Sequence, residues 1–112
     1  MNIQRGDIVL VDYPYTSSSE TKVRPVLVIQ NDRDNQRLRN TIVVQITSQT
    51  QRSLEPTQLL IKMASGLRQD SVINCVNLLT LTKDKILRKL GQLPKSSLQK
   101  VNDCLKTALE LT

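Results

Sequence analysis

The chain has 112 residues, a length that suits one domain, with 38% apolar content carried mainly by Val, Ile and Leu and only 2% aromatic residues. Its 16 basic residues against 10 acidic ones give a net charge of +6, a field that attracts nucleic acid, acidic protein or anionic membrane without choosing among them. There is no histidine, and the two cysteines, Cys75 and Cys104, are far apart in sequence, which excludes Ser-His and Cys-His catalysis and leaves no metal or cofactor to be expected.

The opening MNIQRGD lacks the apolar core of a signal peptide, and no stretch approaches the apolar run a membrane span needs. A cytoplasmic protein with no membrane partner is expected, its cysteines reduced and packed in the core. IVLVDY (8–13), bounded by Gly6 and Pro14, reads as a strand with Ile8 and Leu10 on one face and Val9 and Val11 on the other, both covered. PYTSSSETK (14–22) has no periodicity and reads as a loop, long for a compact domain, that delivers the chain to Arg24. Tyr13 and Tyr15 read as packing residues.

RPVLVIQ (24–30) is the second predicted strand, with Pro25 at its start, where the ladder can spare an amide. NDRDNQRLRN (31–40) reads as a polar turn or hairpin arm. TIVVQITS (41–48) is a third strand, with Ile42, Val44 and Ile46 on one face and Thr41, Val43, Gln45 and Thr47 on the other. After the polar loop 48–56, TQLLIKM (57–63) is a fourth strand, SGLRQ (65–69) a turn and DSVINCVNLLTL (70–81) a fifth, bent strand.

Two helices are predicted to close the chain. Thr82 is placed to cap KDKILRKL (83–90), with Gly91 as its stop. The second follows Pro94, with Ser96 and Gln99 at capping-box spacing. It carries a stripe of Leu98, Val101, Leu105, Ala108 and Leu109, with Cys104 alongside, that packs on the sheet. Without a linker or internal repeat, residues 1–112 read as one α+β domain, mainly β, whose bent antiparallel sheet curls into a small barrel.

If the second and third strands pair through the 31–40 turn, Arg24 and Thr47 come together at the far end. The Glu20 loop and the loop carrying Ser48, Gln49 and Arg52 leave from that same end, with Lys22 nearby. A guanidinium, a hydroxyl, a carboxylate and several amides on one rim suit a phosphodiester, because Arg neutralises charge growing on the non-bridging oxygens. The plainer reading leaves Arg24 a solvated charge at a strand end.

RGDIVLVDY, SSETKVRPVLVIQND, IVVQITSQ and RQDSVI, in this order and spacing, resemble the MazF/PemK family of toxin endoribonucleases from toxin–antitoxin systems. The likeness covers almost the whole chain and is weakest in the two predicted helices. It implies a CcdB-like, SH3-like barrel with a C-terminal helix, assembled as a homodimer and bound by a cognate antitoxin. It also implies metal-independent cleavage of single-stranded RNA in which the ribose 2′-hydroxyl attacks. By position, the resemblance makes Arg24 and Thr47 catalytic, gives Glu20 a supporting catalytic role, and matches Gln49 to a polar residue after the threonine. Lys22, Ser48, Arg52 and Asn77 are the further candidate RNA contacts. Where many members carry a polar pair and then a basic residue, this chain reads Val76, Asn77, Leu78 and Leu79; Asn77 can replace an amide, but Leu79 cannot replace a cation. Two rival functions are a CcdB-like toxin that binds gyrase without cutting RNA, which uses a tryptophan-containing tail, and a plain RNA-binding barrel. The chain has no tryptophan.

Overall fold

Valine and isoleucine crowd several short runs, and these form strands in the computed structural model, which describes residues 2–14, 21–50 and 55–111, Thr21 by its backbone alone. In chain order, β1 spans Asp7–Pro14, β2 Thr21–Val28, β3 Asn40–Thr47, β4 Gln58–Ile61, β5 Ser71–Thr82 and β6 Ile86–Gln92, with helices α1 at Asp32–Arg37 and α2 at Lys95–Leu109. The six strands form one sheet in the order β4-β5-β3-β2-β1-β6, every neighbouring pair antiparallel. No helix of the described residues is long and apolar enough to cross a membrane.

Successive strand side chains face opposite ways, so the sheet carries a core on each side. One core buries Ile8, Leu27, Val44, Ile46 and Ile73 with Val101 and Cys104 of α2. The other buries Val9, Val11, Val26, Val28 and Val43 with Leu81 and Ile86. β1 and β3 thus divide their side chains as their alternation predicts, except that Leu10 and Ile42 are only half-buried. The bend expected in β5 is a change of register: Val44 faces Leu78, but the next residue, Gln45, faces Asn74.

The segment 31–40 is more than a turn. It contains α1, whose N-cap Asn31 accepts a hydrogen bond from the Asp34 amide at 2.9 Å. This helix has no apolar stripe, because a buried amide network holds it instead. Asn35 is 2% exposed. Its Oδ1 accepts from Gln30 Nε2 at 3.0 Å and from Thr41 Oγ1 at 2.8 Å, and its Nδ2 donates to the Gln30 carbonyl at 2.8 Å.

The larger correction concerns residues 83–90. The expected helix is a short 3-10 turn, Lys83–Lys85, followed by β6. Thr82 makes no capping bond to the backbone; its hydroxyl donates to the Asp84 carboxylate. Residues 86–92 instead pair with β1, which would otherwise be a bare edge, and this pairing outweighs a weak local helix preference.

Gly91 is therefore no helix stop. A Cβ at Gly91 would lie 2.1 Å from the Ser65 carbonyl oxygen, and one at Gly66, whose φ is +89°, would lie 2.0 Å from the Leu90 carbonyl oxygen. The turn between β4 and β5 presses its backbone directly on β6, at the opposite edge of the sheet. The barrel expected from the sequence is thus an open, curled sheet in which the β4–β5 turn, rather than a β4–β6 ladder, meets β6 by backbone contact.

α2 begins after Pro94 as expected, but Pro94 itself occupies the N-cap and Ser96 lies inside the helix, so the Ser96/Gln99 capping box does not form. Val101 and Cys104 are buried, Leu98, Leu105 and Ala108 pack beside them, and Leu109 departs from the stripe at 49% exposed. Cys75 and Cys104 are free thiols buried beside one another. Burial, reinforced by the Cys104 thiol, pushes Cys75 up from its ordinary 9.0 to about 12, so it stays a neutral core residue.

Candidate functional site

The β2–β3 ladder decides where Arg24 and Thr47 lie. Val28 faces Val43, Leu27 faces Val44 and Val26 faces Gln45, and there the pairing ends. Pro25 comes next and has no amide to donate. Carried two steps further, the same register sets residue 24 against residue 47. At this open end the two strands border a cleft of about 620 Å³, lined by Arg24, Pro25, Thr47, Ser48 and Gln49. Arg24 is exposed and Thr47 half-buried. The Gln49 amide donates to Thr47 Oγ1 at 3.3 Å, which fixes the hydroxyl oxygen and leaves its proton to donate elsewhere.

Of the candidate residues, Arg24, Thr47, Ser48 and Gln49 come together on this cleft. Asn77 does not line it. It stands exposed in the irregular part of β5 and donates through Nδ2 to Gln45 Oε1 at 2.7 Å; Gln45 does line the cleft, so Asn77 is one hydrogen bond removed. Lys22 is exposed on β2 opposite Tyr13, away from the lining. Glu20 and Arg52 lie outside the described residues, as does Tyr15.

Sequence reading missed the other side of the cleft. Arg68 and Gln69 come from the β4–β5 turn, Arg88 from β6, Gln58 from β4 and Asn74 from β5. The amides surround three guanidiniums, and no described carboxylate lines the cleft. The nearest in sequence, Asp70, accepts from the Met63 amide at 2.7 Å and pairs with Lys62 at 3.5 Å. Asn74 Oδ1 is the one buried side-chain oxygen or nitrogen without a hydrogen bond among the described residues. Gly66 and Gly91 were the available signal for this wall, had they been read as a close backbone approach. Among the described residues, no group of three His, Cys, Asp or Glu side chains is placed to hold a metal. The site's chemistry is that of an anion cradle with many amide donors and acceptors.

Residues 4–109 match the model of the PemK-like, MazF-like toxins of type II toxin–antitoxin systems. The chain belongs to this family. It is similar to Endoribonuclease EndoA of Bacillus subtilis, with 36% identity over 113 residues that cover 99% of this chain and 97% of the relative. It is also similar to Endoribonuclease MazF of Staphylococcus saprophyticus, with 33% identity over 111 residues, 97% of this chain and 92% of the relative. Among solved structures, a mycobacterial endoribonuclease in complex with its cognate antitoxin superposes with a TM-score of 0.82 at 27% identity, covering 98% of this chain and 97% of that one. A MazE-MazF structure from Deinococcus radiodurans superposes with a TM-score of 0.81 at 17% identity, over 100% and 99% of the two chains, a likeness of fold alone. The resemblance implied an SH3-like barrel with a C-terminal helix, and this PemK/MazF chain has that arrangement as a six-stranded antiparallel sheet that does not close, with α2 at its C-terminus.

Proposed function

We propose that the chain is a toxin endoribonuclease that cuts single-stranded RNA at a short sequence without a metal ion, leaving a 2′,3′-cyclic phosphate and a 5′-hydroxyl. The observation that carries the proposal is one cleft lined by arginines and amides and bordered by Arg24 and Thr47, in a family whose curated relatives are named endoribonucleases. In the reaction, the 2′-oxygen attacks phosphorus, the bond to the 5′-oxygen breaks, and the cyclic phosphate closes. Arg24 neutralises the charge that grows on the non-bridging oxygens, and the Thr47 hydroxyl donates to one of them. A guanidinium holds its proton too firmly at neutral pH to serve as a base, so Arg24 is assigned as stabiliser and candidate donor to the leaving oxygen. Glu20 is the candidate base. Ser48 and Gln49 contact RNA beside the reacting phosphate, Lys22 and Asn77 contact it further out, and Arg52 is a further RNA contact proposed from the sequence.

The active unit is a cytoplasmic homodimer in which residues 1–112 form one toxin domain. Val23 and Val76, at 52% and 55% exposed, leave apolar surface for such assembly. A cognate antitoxin, acidic where it meets the basic cleft, neutralises the toxin by covering Arg24. The relative solved with its cognate antitoxin supports this partner.

The test is cleavage of single-stranded RNA in excess EDTA, with end-group analysis and a matched substrate carrying a 2′-deoxy sugar at the scissile position. Cyclic-phosphate ends and a resistant deoxy substrate are expected. Equal cutting of both substrates would remove the 2′-hydroxyl mechanism. RNA binding without cleavage would leave a plain RNA-binding protein.

A further inference from the structure

The wall made by the β4–β5 turn and β6 has its own electrostatic character. Arg68 projects from the β4–β5 turn and Arg88 from β6; both are exposed and both line the cleft that Arg24 borders. They sit on separate elements, but the backbone contacts of Gly66 with Leu90 and of Gly91 with Ser65 weld those elements together. Alternation along β6 selects Arg88. Arg88 and Leu90 face the cleft, whereas Lys89 pairs with the buried Asp7 at 3.2 Å. Neither Arg68 nor Arg88 has an ion-pair or hydrogen-bond partner among the described residues. Two guanidiniums exposed on one wall of a cleft, with no described carboxylate in its lining, suit an anionic occupant.

We propose that Arg68 and Arg88 are RNA-positioning residues that grip a phosphate adjoining the scissile one, on the welded β4–β5 turn and β6 wall of the cleft. The proposal rests on the endoribonuclease reading and deepens it. Arg24 and Thr47 act on the phosphate that reacts, and Arg68 and Arg88 hold the strand that carries it. A phosphate held equally in the ground and transition states lowers KM and leaves kcat unchanged. Each single-strand phosphate contact also changes the slope of log affinity against log salt by about 0.7, which corresponds to roughly eightfold weaker binding at 50 mM salt and roughly fourfold at 150 mM when one contact is lost.

The experiment measures binding of a fluorescent pool of random-sequence 2′-O-methyl RNA, which cannot be cut by 2′-hydroxyl attack, from 50 to 300 mM salt. It compares wild type, Arg68→Ala, Arg88→Ala, Arg68→Lys and a control, Lys100→Ala, which removes one charge from α2. Steady-state cleavage of RNA is measured alongside. The expected result is a slope shallower by about 0.7 for each Arg→Ala variant. KM rises with kcat held, Arg68→Lys keeps most of the slope, and Lys100→Ala changes it little. Circular dichroism melts confirm that the variants fold. Slopes no shallower than that of Lys100→Ala, in a protein whose wild type cleaves RNA, would overturn this assignment alone. A fall in kcat with an unchanged slope would overturn it too, because the arginines would then act on the reacting phosphate. A wild type that neither binds nor cleaves RNA would overturn both this assignment and the function beneath it.

Discussion

The contact between the β4–β5 turn and β6 makes Gly66→Ala the most informative test of the fold. The new Cβ would lie 2.0 Å from the Leu90 carbonyl oxygen, a backbone atom that cannot swing aside, and the residue would keep a φ of +89°. Forcing a methyl into filled space costs about 1–3 kcal/mol. An L-residue at positive φ adds roughly 1–2 kcal/mol. The sum, about 2–5 kcal/mol, corresponds to a fall in Tm of roughly 10–20 °C for a domain of this size. Gly91→Ala meets the same kind of clash, 2.1 Å from the Ser65 carbonyl oxygen, but without the positive φ, and should cost only the first part. Thermal melts followed by circular dichroism, or calorimetry, measure both. The two substitutions should also weaken RNA binding below the melting temperature, because parting the turn from β6 moves Arg68 relative to Arg88. A Gly66→Ala protein melting within about 2 °C of wild type would refute the close contact, and with it the rigid wall.

Other outcomes follow from single groups. Thr47→Val removes the hydroxyl at nearly constant shape and should slow cleavage by roughly a hundredfold or more, with Thr47→Ser retaining part of the rate in the same single-turnover assay. Asn74→Leu removes the buried Oδ1 that lacks a partner among the described residues and should raise Tm, or at least leave it unchanged, in thermal melts; a fall of several degrees would show that the amide has a partner. Cys75 binds its proton more tightly folded than unfolded, so its contribution to stability is fully present below the ordinary pKa of 9.0 and is lost as pH rises toward about 12. Denaturant titrations should therefore show wild type losing more stability than Cys75→Val over that interval, and parallel losses would refute the buried, neutral thiol.

The strands were legible because their cause is local. Ile8 and Val9, or Val44 and Val43, alternate toward two cores, and β-branched side chains suit a pleated surface whichever neighbour arrives. α1 was not legible because it is held by Gln30, Asn35 and Thr41, whose bonds close only after β2 and β3 have paired. β6 was misread for a related reason. Thr82, the run KDKILRKL and Gly91 carry helix signals, but the open edge of β1, some 80 residues earlier in the chain, captures the segment. The same distance effect governs the site. Arg24 and Thr47 could be paired from one hairpin-like register, whereas Arg68 and Arg88 share a cleft only because the β4–β5 turn packs on β6, the strand at the far edge of the sheet.

The central claim is that Arg24 acts on the phosphate as the reaction proceeds. Single-turnover cleavage of single-stranded RNA by Arg24→Ala, at saturating enzyme and with its melting temperature measured in parallel, tests it most directly. The rate should fall by roughly two or more orders of magnitude while Tm barely moves, and Arg24→Lys should recover little, because an ammonium keeps the charge but loses the two-pronged geometry. An Arg24→Ala protein that cuts RNA at near the wild-type rate would contradict the account and reduce Arg24 to a solvated charge at the end of a strand.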